Sequence, residues 1–241
     1  MQKTFFLFLS FLFLISCNLV FSNLIYTYNE FTNGKKTTTT WEIDEDDKNL
    51  ELIGKDNTSI TTLKCSKDFE ISKFTYKSKI DPTEYVFSIN KNVLIAKGKV
   101  NNKTLSKQYS INSPWIQQFG FGLKSFILSK HSSLRFYLIN PEDFSIQKMI
   151  ASKERIESIT INEKTYQTQK INVTLQGFKS MFWKAKLWFD SKTGDLLKYV
   201  ANKGPNTPTT TMLLNSIKKE GIFNELKNSF LKEKNDKEEK K

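Results

Sequence analysis

The sequence predicts a mainly β protein, an antiparallel sheet with one or two short helices lying on it. From Ile25 to Ile111, apolar and polar residues alternate in short runs broken by Asn-, Asp-, Gly- and Lys-rich turns, the pattern of half-buried strands. After Ser113-Pro114 the apolar residues instead recur at intervals of three and four, the spacing of one helical face. Alternation resumes at Leu134 and continues to Leu214.

In chain order, the first strands are expected at Thr37 to Ile43, Ser59 to Cys65, Glu70 to Tyr76, Glu84 to Ile89, Val93 to Val100 and Thr104 to Ile111. Asp44-Glu45-Asp46-Asp47 and Val100-Asn101-Asn102-Lys103 supply turns between them. Ser113 is a good N-cap and Pro114 a good first helical residue, so a helix is expected from there. Trp115, Ile116, Phe119, Leu123, Phe126 and Ile127 form its apolar face, with Gly120 and Gly122 interrupting it. Later strands are expected at Leu134 to Ile139, Ser145 to Ala151, Arg155 to Ile161, Tyr166 to Leu175, Phe182 to Phe189, Leu196 to Val200 and Thr209 to Leu214. In the Phe182–Phe189 run, Trp183, Ala185, Leu187 and Phe189 share one face, and Lys184, Lys186 and Trp188 share the other. Ser191-Lys192-Thr193-Gly194 makes a hairpin turn, with Gly194 suited to positive φ.

Both chain ends read differently from the sheet. Lys3 precedes an apolar run from Phe5 to Ile15 and then Ser16-Cys17, the layout of a secretory signal and shorter than a spanning helix needs. Residues 1–22 are therefore expected to be a signal peptide, cut either before Cys17 or after Ser22. Leu14-Ile15-Ser16-Cys17 resembles the bacterial lipobox, which implies acylation of the Cys17 thiol and anchorage of the product to a membrane. Residues 23–218 are expected to form a single β-rich domain, about 220 residues being ample for one core. Residues 219–241 carry Ile222, Phe223, Leu226 and Phe230 on one amphipathic helical face, then a charged, disordered tail from Lys232.

The net charge is +12, yet Arg135 and Arg155 are the only arginines. Bidentate phosphate and guanine contacts favour arginine, and no basic helix has base-reading spacing, so no nucleic-acid partner is expected. The lysines keep a surface soluble and attract anionic groups. With Cys17 lipidated or removed, Cys65 stands alone and makes no intrachain disulfide; it reads as a small core residue.

The stretch from Glu154 to Leu214 carries Ile161-Asn162-Glu163-Lys164-Thr165-Tyr166, Gly177-Phe178, Phe182-Trp183-Lys184-Ala185-Lys186-Leu187-Trp188-Phe189, Thr193-Gly194-Asp195-Leu196-Leu197, Gly204-Pro205 and Thr207-Pro208. It resembles the C-terminal half of an uncharacterised family of bacterial periplasmic β-rich domains, whose folds are similar to the curved half-barrel of LolA/LolB-type lipoprotein carriers. The resemblance implies a curved antiparallel sheet or half-barrel wrapped around a short helical plug. It transfers no catalytic residues.

Chemistry-bearing clusters are sparse. His131 is the only histidine; it is flanked by Ser129, Ser132 and Ser133, with no Gly-x-Ser-x-Gly elbow. No His/Cys cluster suits zinc, and Asp44–Asp47 lacks the glycine and bidentate glutamate of a calcium loop. Catalytic residues, metal and cofactors are therefore all expected to be none. What remains is apolar surface: Trp115, Phe119, Phe121 and Phe126 on the helical stretch, with Phe182 and Trp188 on the strand, as candidate ligand-binding residues. The functional expectation is an exported envelope lipoprotein, a non-catalytic binder or carrier of an apolar or amphiphilic ligand such as a lipid. The alternatives are a protein- or polymer-interaction module of the cell envelope and, behind it, an envelope hydrolase.

Overall fold

The computed structural model describes residues 22–177, 183–202, 204 and 207–221. Leu24–Lys218 form one compact unit; the signal segment with Cys17, and the C-terminal stretch beyond 221, lie outside the described residues.

The alternating runs do form strands. The first half of the chain gives β1 (Ser22–Thr32), β2 (Lys35–Glu45), β3 (Asn49–Lys55), β4 (Ser59–Ser66), β5 (Ile71–Ser78), β6 (Glu84–Asn90), β7 (Val93–Val100) and β8 (Lys103–Ser110). Two short helices follow, α1 (Phe119–Gly122) and α2 (Lys124–Leu128). The second half gives β9 (Ser133–Ile139), β10 (Ile146–Ile161), β11 (Lys164–Leu175), β12 (Lys184–Asp190), β13 (Leu196–Asn202) and β14 (Thr209–Gly221). Tight turns set the registers. Asn33-Gly34, Asn101-Asn102 and Asn162-Glu163 all have positive φ at both central residues, the two-residue turn whose twist matches that of the flanking strands.

All these strands join one antiparallel sheet in the order β8-β7-β6-β5-β4-β3-β2-β1-β14-β13-β12-β11-β10-β9. Every step is a hairpin except the pairing of β1 with β14, which brings the first and last strands together in mid-sheet. The sheet is open between its edges, β8 and β9, as a half-barrel requires. Residues 111–132 join those edges and cross the interior as the plug, so they enter and leave at the same end of the sheet.

The plug differs from the expected continuous helix. Pro114 and Ile116 run extended beside β9: the Tyr137 amide donates to the Pro114 carbonyl at 2.8 Å and the Ile116 amide donates to the Tyr137 carbonyl at 2.9 Å. The Gln117 side chain continues this pairing, donating to the Ile139 carbonyl at 2.9 Å and accepting from the Ile139 amide at 3.1 Å. The free edge of β9 is thereby covered, which removes an aggregation-prone template. Ser113-Pro114 is therefore not a helix start; α1 begins after Gln118, whose side chain accepts from the Gly120 amide.

β10 also departs from expectation. Ser145–Ala151 and Arg155–Ile161 are one strand, bent by a bulge that sets Glu154 and Arg155 against Lys170 of β11. β9 is covered on both faces: Phe136 and Leu138 pack into one hydrophobic cluster, Ile139 and Tyr137 into the other. That is why Leu134–Ile139 reads as a nearly continuous apolar run rather than an alternating one.

Where the edges approach, side chains bridge them. Phe144, in the β9–β10 turn, is fully buried and stands edge-on to Phe87 (5.2 Å) and Tyr85 (5.6 Å) of β6. The Tyr109 hydroxyl of β8 donates to the Phe144 carbonyl at 2.9 Å, and the Tyr137 hydroxyl of β9 donates to Asn112.

Candidate functional site

The plug divides the core. Trp115 and Phe121 belong to the cluster built chiefly on β1–β8, which also takes in Ile139, Phe144, Ile161, Leu197 and Leu214, while Ile116, Leu123, Phe126 and Ile127 belong to that built chiefly on β9–β13. Phe121 packs edge-on against Tyr26 (5.8 Å) and Trp41 (5.2 Å) and stacks on Phe69 (6.3 Å). Gly122 permits the close return of the chain, since a Cβ there would lie 2.8 Å from Ile116.

An electrostatic latch ties the plug to the β12–β13 turn. Lys124 of α2 pairs with Asp195 at 2.7 Å, and the Tyr26 hydroxyl donates to the same carboxylate oxygen at 2.9 Å. Burial, followed by the Asp195 charge, raises the Tyr26 pKa well beyond the ordinary phenol range. Gly194 sits in this turn at φ +71°, and a Cβ there would come within 2.9 Å of Lys124. At the other end of α2, the Lys153 ammonium donates to the carbonyls of Ile127 and Ser129, a cation on the negative end of the helix. Desolvation lowers the Lys153 pKa.

Two clefts flank the plug. One, of about 840 Å³, opens beside the β9–β10 turn. Phe119, Leu138, Met149, Leu175, Trp183 and Met212 supply its apolar lining, and Gln117, Gln118, Asn140 and Gln147 its polar groups. Tyr199 also lines it; burial, then the Glu30 carboxylate, pushes its pKa up to about 12. The second cleft, of about 780 Å³, opens by the β4–β5 and β6–β7 turns at the opposite strand ends. Phe69, Ile71, Ile111, Trp115 and Phe126 line it, with Asp68, Glu70, Lys91 and His131 at its rim.

The sequence-derived candidates thus separate. Phe119 lines the first cleft; Trp115 and Phe126 line the second. Phe121 is enclosed in the core between them. Phe182 and Cys17 lie outside the described residues. Trp188 is on the sheet face opposite Leu187 and Phe189, directly across from Lys170 of β11 and Lys198 of β13. Both ammoniums sit over its ring, at 5.5 and 4.9 Å, and its indole N–H donates to Glu157 at 2.5 Å. Lys170 is itself buried and paired with Glu154 at 3.2 Å.

Met149, Leu138, Leu175 and Met212 are cleft residues that sequence reasoning missed. Each occupies an ordinary inward strand position; Leu138, Leu175 and Met212 are left half-buried beside the plug, whereas Met149 is a buried core residue that meets the cleft only at its wall. His131 is exposed at the rim of the second cleft; among the described residues its ring has no hydrogen bond to a serine or carboxylate. No group of three or more His, Cys, Asp or Glu side chains is arranged to hold a metal among the described residues.

Comparisons with known proteins bear on the fold. No protein-family model matches the sequence, and no curated protein does. Among solved structures, a β-barrel-like protein of a domain of unknown function, DUF1849, from Brucella abortus is similar with a TM-score of 0.56 at 7% identity, over 84% of this chain and 99% of that one. The hypothetical lipoprotein YmcC from Escherichia coli is similar with a TM-score of 0.40 at 14% identity, over 82% of this chain and 85% of that one. A putative outer membrane lipoprotein-sorting protein domain from Vibrio parahaemolyticus has a TM-score of 0.27 at 10% identity, over 82% and 85% of the two chains. At these last two scores the likeness bears on neither fold nor function. The Brucella likeness and the open fourteen-stranded sheet bear out the expected β-rich, half-barrel architecture.

Proposed function

We propose that this chain is an exported cell-envelope protein that binds an apolar or amphiphilic ligand without transforming it. The observation that carries this reading is the 840 Å³ cleft with two methionines, Phe119, Trp183, Leu138 and Leu175 along its walls. Its volume falls within the range of small-molecule sites, and a mainly apolar wall with a few placed polar groups is their usual construction. Methionine side chains adapt to a flexible acyl chain better than branched ones do. Anchorage through Cys17 after signal cleavage completes the proposal, and it would hold the cleft close to a source of lipid.

The test is native mass spectrometry of the exported Cys17→Ala protein, which lacks the acceptor thiol, together with its Met212→Trp variant. The expected result is a reproducible added mass, extractable as one lipid class, that the cleft-filling indole removes while the circular dichroism spectrum is unchanged. A clean unliganded mass in the parent, persisting after lipid challenge, would sink the reading and favour a protein-interaction module. Mass spectrometry of the N-terminal peptide of the native protein separately checks acylation of Cys17.

A further inference from the structure

We infer that the outward face of β4–β7 is a docking surface for an anionic lipid bilayer. On these strands the residues facing the core are Leu63, Cys65, Phe74, Tyr76, Tyr85, Phe87, Leu94 and Ala96. Side chains alternate along a strand, so Lys64, Lys73, Lys77, Lys97 and Lys99 all stand on the opposite face, and all five are exposed.

The registers bring them together. Lys64 lies directly across from Lys73. Lys77 and Lys99 flank Glu84, one from each neighbouring strand. Lys97 is opposite Val86, and Thr62, Thr75 and Ser88 fill the positions between. Three inter-strand steps make this patch about 15 Å wide. Lys64 reaches Glu51 at 3.5 Å, whereas Lys73, Lys77, Lys97 and Lys99 form no ion pair among the described residues. Like charges directly opposite in a sheet are destabilising, so the Lys64–Lys73 pair carries a cost that an anionic partner removes.

The chemistry of the face selects the partner. It has no arginine for bidentate phosphate recognition and no aromatic ring on which a base would stack. Compact, strongly hydrated ammoniums stand among Thr62, Thr75 and Ser88, with Val86, Ile95 and Glu84 on the same face, on the outer side of the curved sheet and not in a groove. An ungrooved cationic face meets many headgroups at once; a polymer chain would be better held in a groove. Each lysine near an anionic bilayer strengthens binding about fivefold, an effect that salt screens over about 10 Å.

The exported Cys17→Ala protein would be sedimented with phosphatidylcholine vesicles with and without phosphatidylglycerol. The expected result is binding only to the anionic vesicles, lost at high salt. Replacing Lys73, Lys77, Lys97 and Lys99 with glutamine is expected to weaken it on the order of a hundredfold or more. Lys148, Lys184, Lys186 and Lys192, exposed elsewhere, give a control variant of equal net charge, expected to lose no more than about fivefold. The pair K97Q/K99Q, if the fourfold variant does not fold, is expected to lose about twentyfold. Equal losses in the two fourfold variants, no selectivity for anionic vesicles, or binding to soluble polyglutamate but not to vesicles would each overturn the inference.

Discussion

Tyr109 and Phe144 lie on opposite sides of the open seam of the half-barrel, and the Tyr109 hydroxyl donates to the Phe144 carbonyl at 2.9 Å. Phe144 meets this bond, and seats its ring against Tyr85 and Phe87, with a backbone φ of +57°. That region disfavours residues with a Cβ. A buried aromatic contact is therefore obtained at the expense of local backbone strain.

Truncating Phe144 to alanine should destabilise the fold by about 3–5 kcal/mol. Phe144→Gly loses the same ring but releases the strain, so it should be about 1 kcal/mol more stable than the alanine variant. Guanidinium unfolding of the two variants decides this, and a glycine variant weaker than alanine would remove the strain account.

The latch between Lys124 and Asp195 predicts coupling. Its side chains are only 20% and 13% exposed, so removing one partner strands a charge in a poorly solvated place. Asp195→Ala should cost about 2–3 kcal/mol, and the double variant with Lys124→Met should cost less than the sum of the single changes by about 1 kcal/mol or more. A double-mutant cycle by thermal or denaturant unfolding measures this.

Cys65 is enclosed between strands, and burial raises its thiol pKa from 9.0 to about 11. Alkylation near pH 8 should be slower than for an unfolded peptide by about a hundredfold. The folded state retains the proton that the unfolded state releases first. Its contribution is thus fully present below pH 9 and is lost as pH rises toward 11. Cys65→Ala should flatten the alkaline limb of a stability–pH curve.

Trp188 should behave as a structural residue, with no effect on ligand binding when changed to phenylalanine. Its indole N–H, and then Arg155, hold the Glu157 pKa below 4.5. A lowered carboxyl pKa stabilises the fold above 4.5, and that contribution is lost as pH falls through the lowered value. Trp188→Phe should move the Glu157 titration, followed by NMR, upward toward 4.5.

Most strands were legible because alternation of apolar and polar residues is a local property. The run Phe182–Phe189, whose described part forms β12 from Lys184, and Leu134–Ile139 declared themselves by pattern and composition alone. The junction at Lys153–Arg155 was not legible: the alternation breaks there and the sequence reads as two strands, whereas here it is one strand with a bulge whose Glu154 carboxylate pairs with buried Lys170. The plug misled for a different reason. Trp115 and Phe126 fall at helical spacing, but Trp115 sits on an extended segment beside Tyr137. Its neighbours Ile116 and Phe121 pack into different clusters. The clefts were invisible in the sequence because Met149 on β10 and Met212 on β14 come to line one cavity only through the curvature of the sheet and the passage of the plug.

The pairing of β1 with β14 has a kinetic consequence. Strands β1–β8 and β9–β14 form two arms, each a succession of hairpins between chain neighbours, and such local contacts form without closing long loops. The bonds from Asn29 to Asn215 and from Thr32 to Thr210 instead link residues 186 and 178 positions apart. Closing so long a loop carries the larger entropic cost, so the arms zip first and their union is the late, cooperative step. A nick within the plug would leave both arms whole, and two separately made halves should recognise each other through β1 and β14.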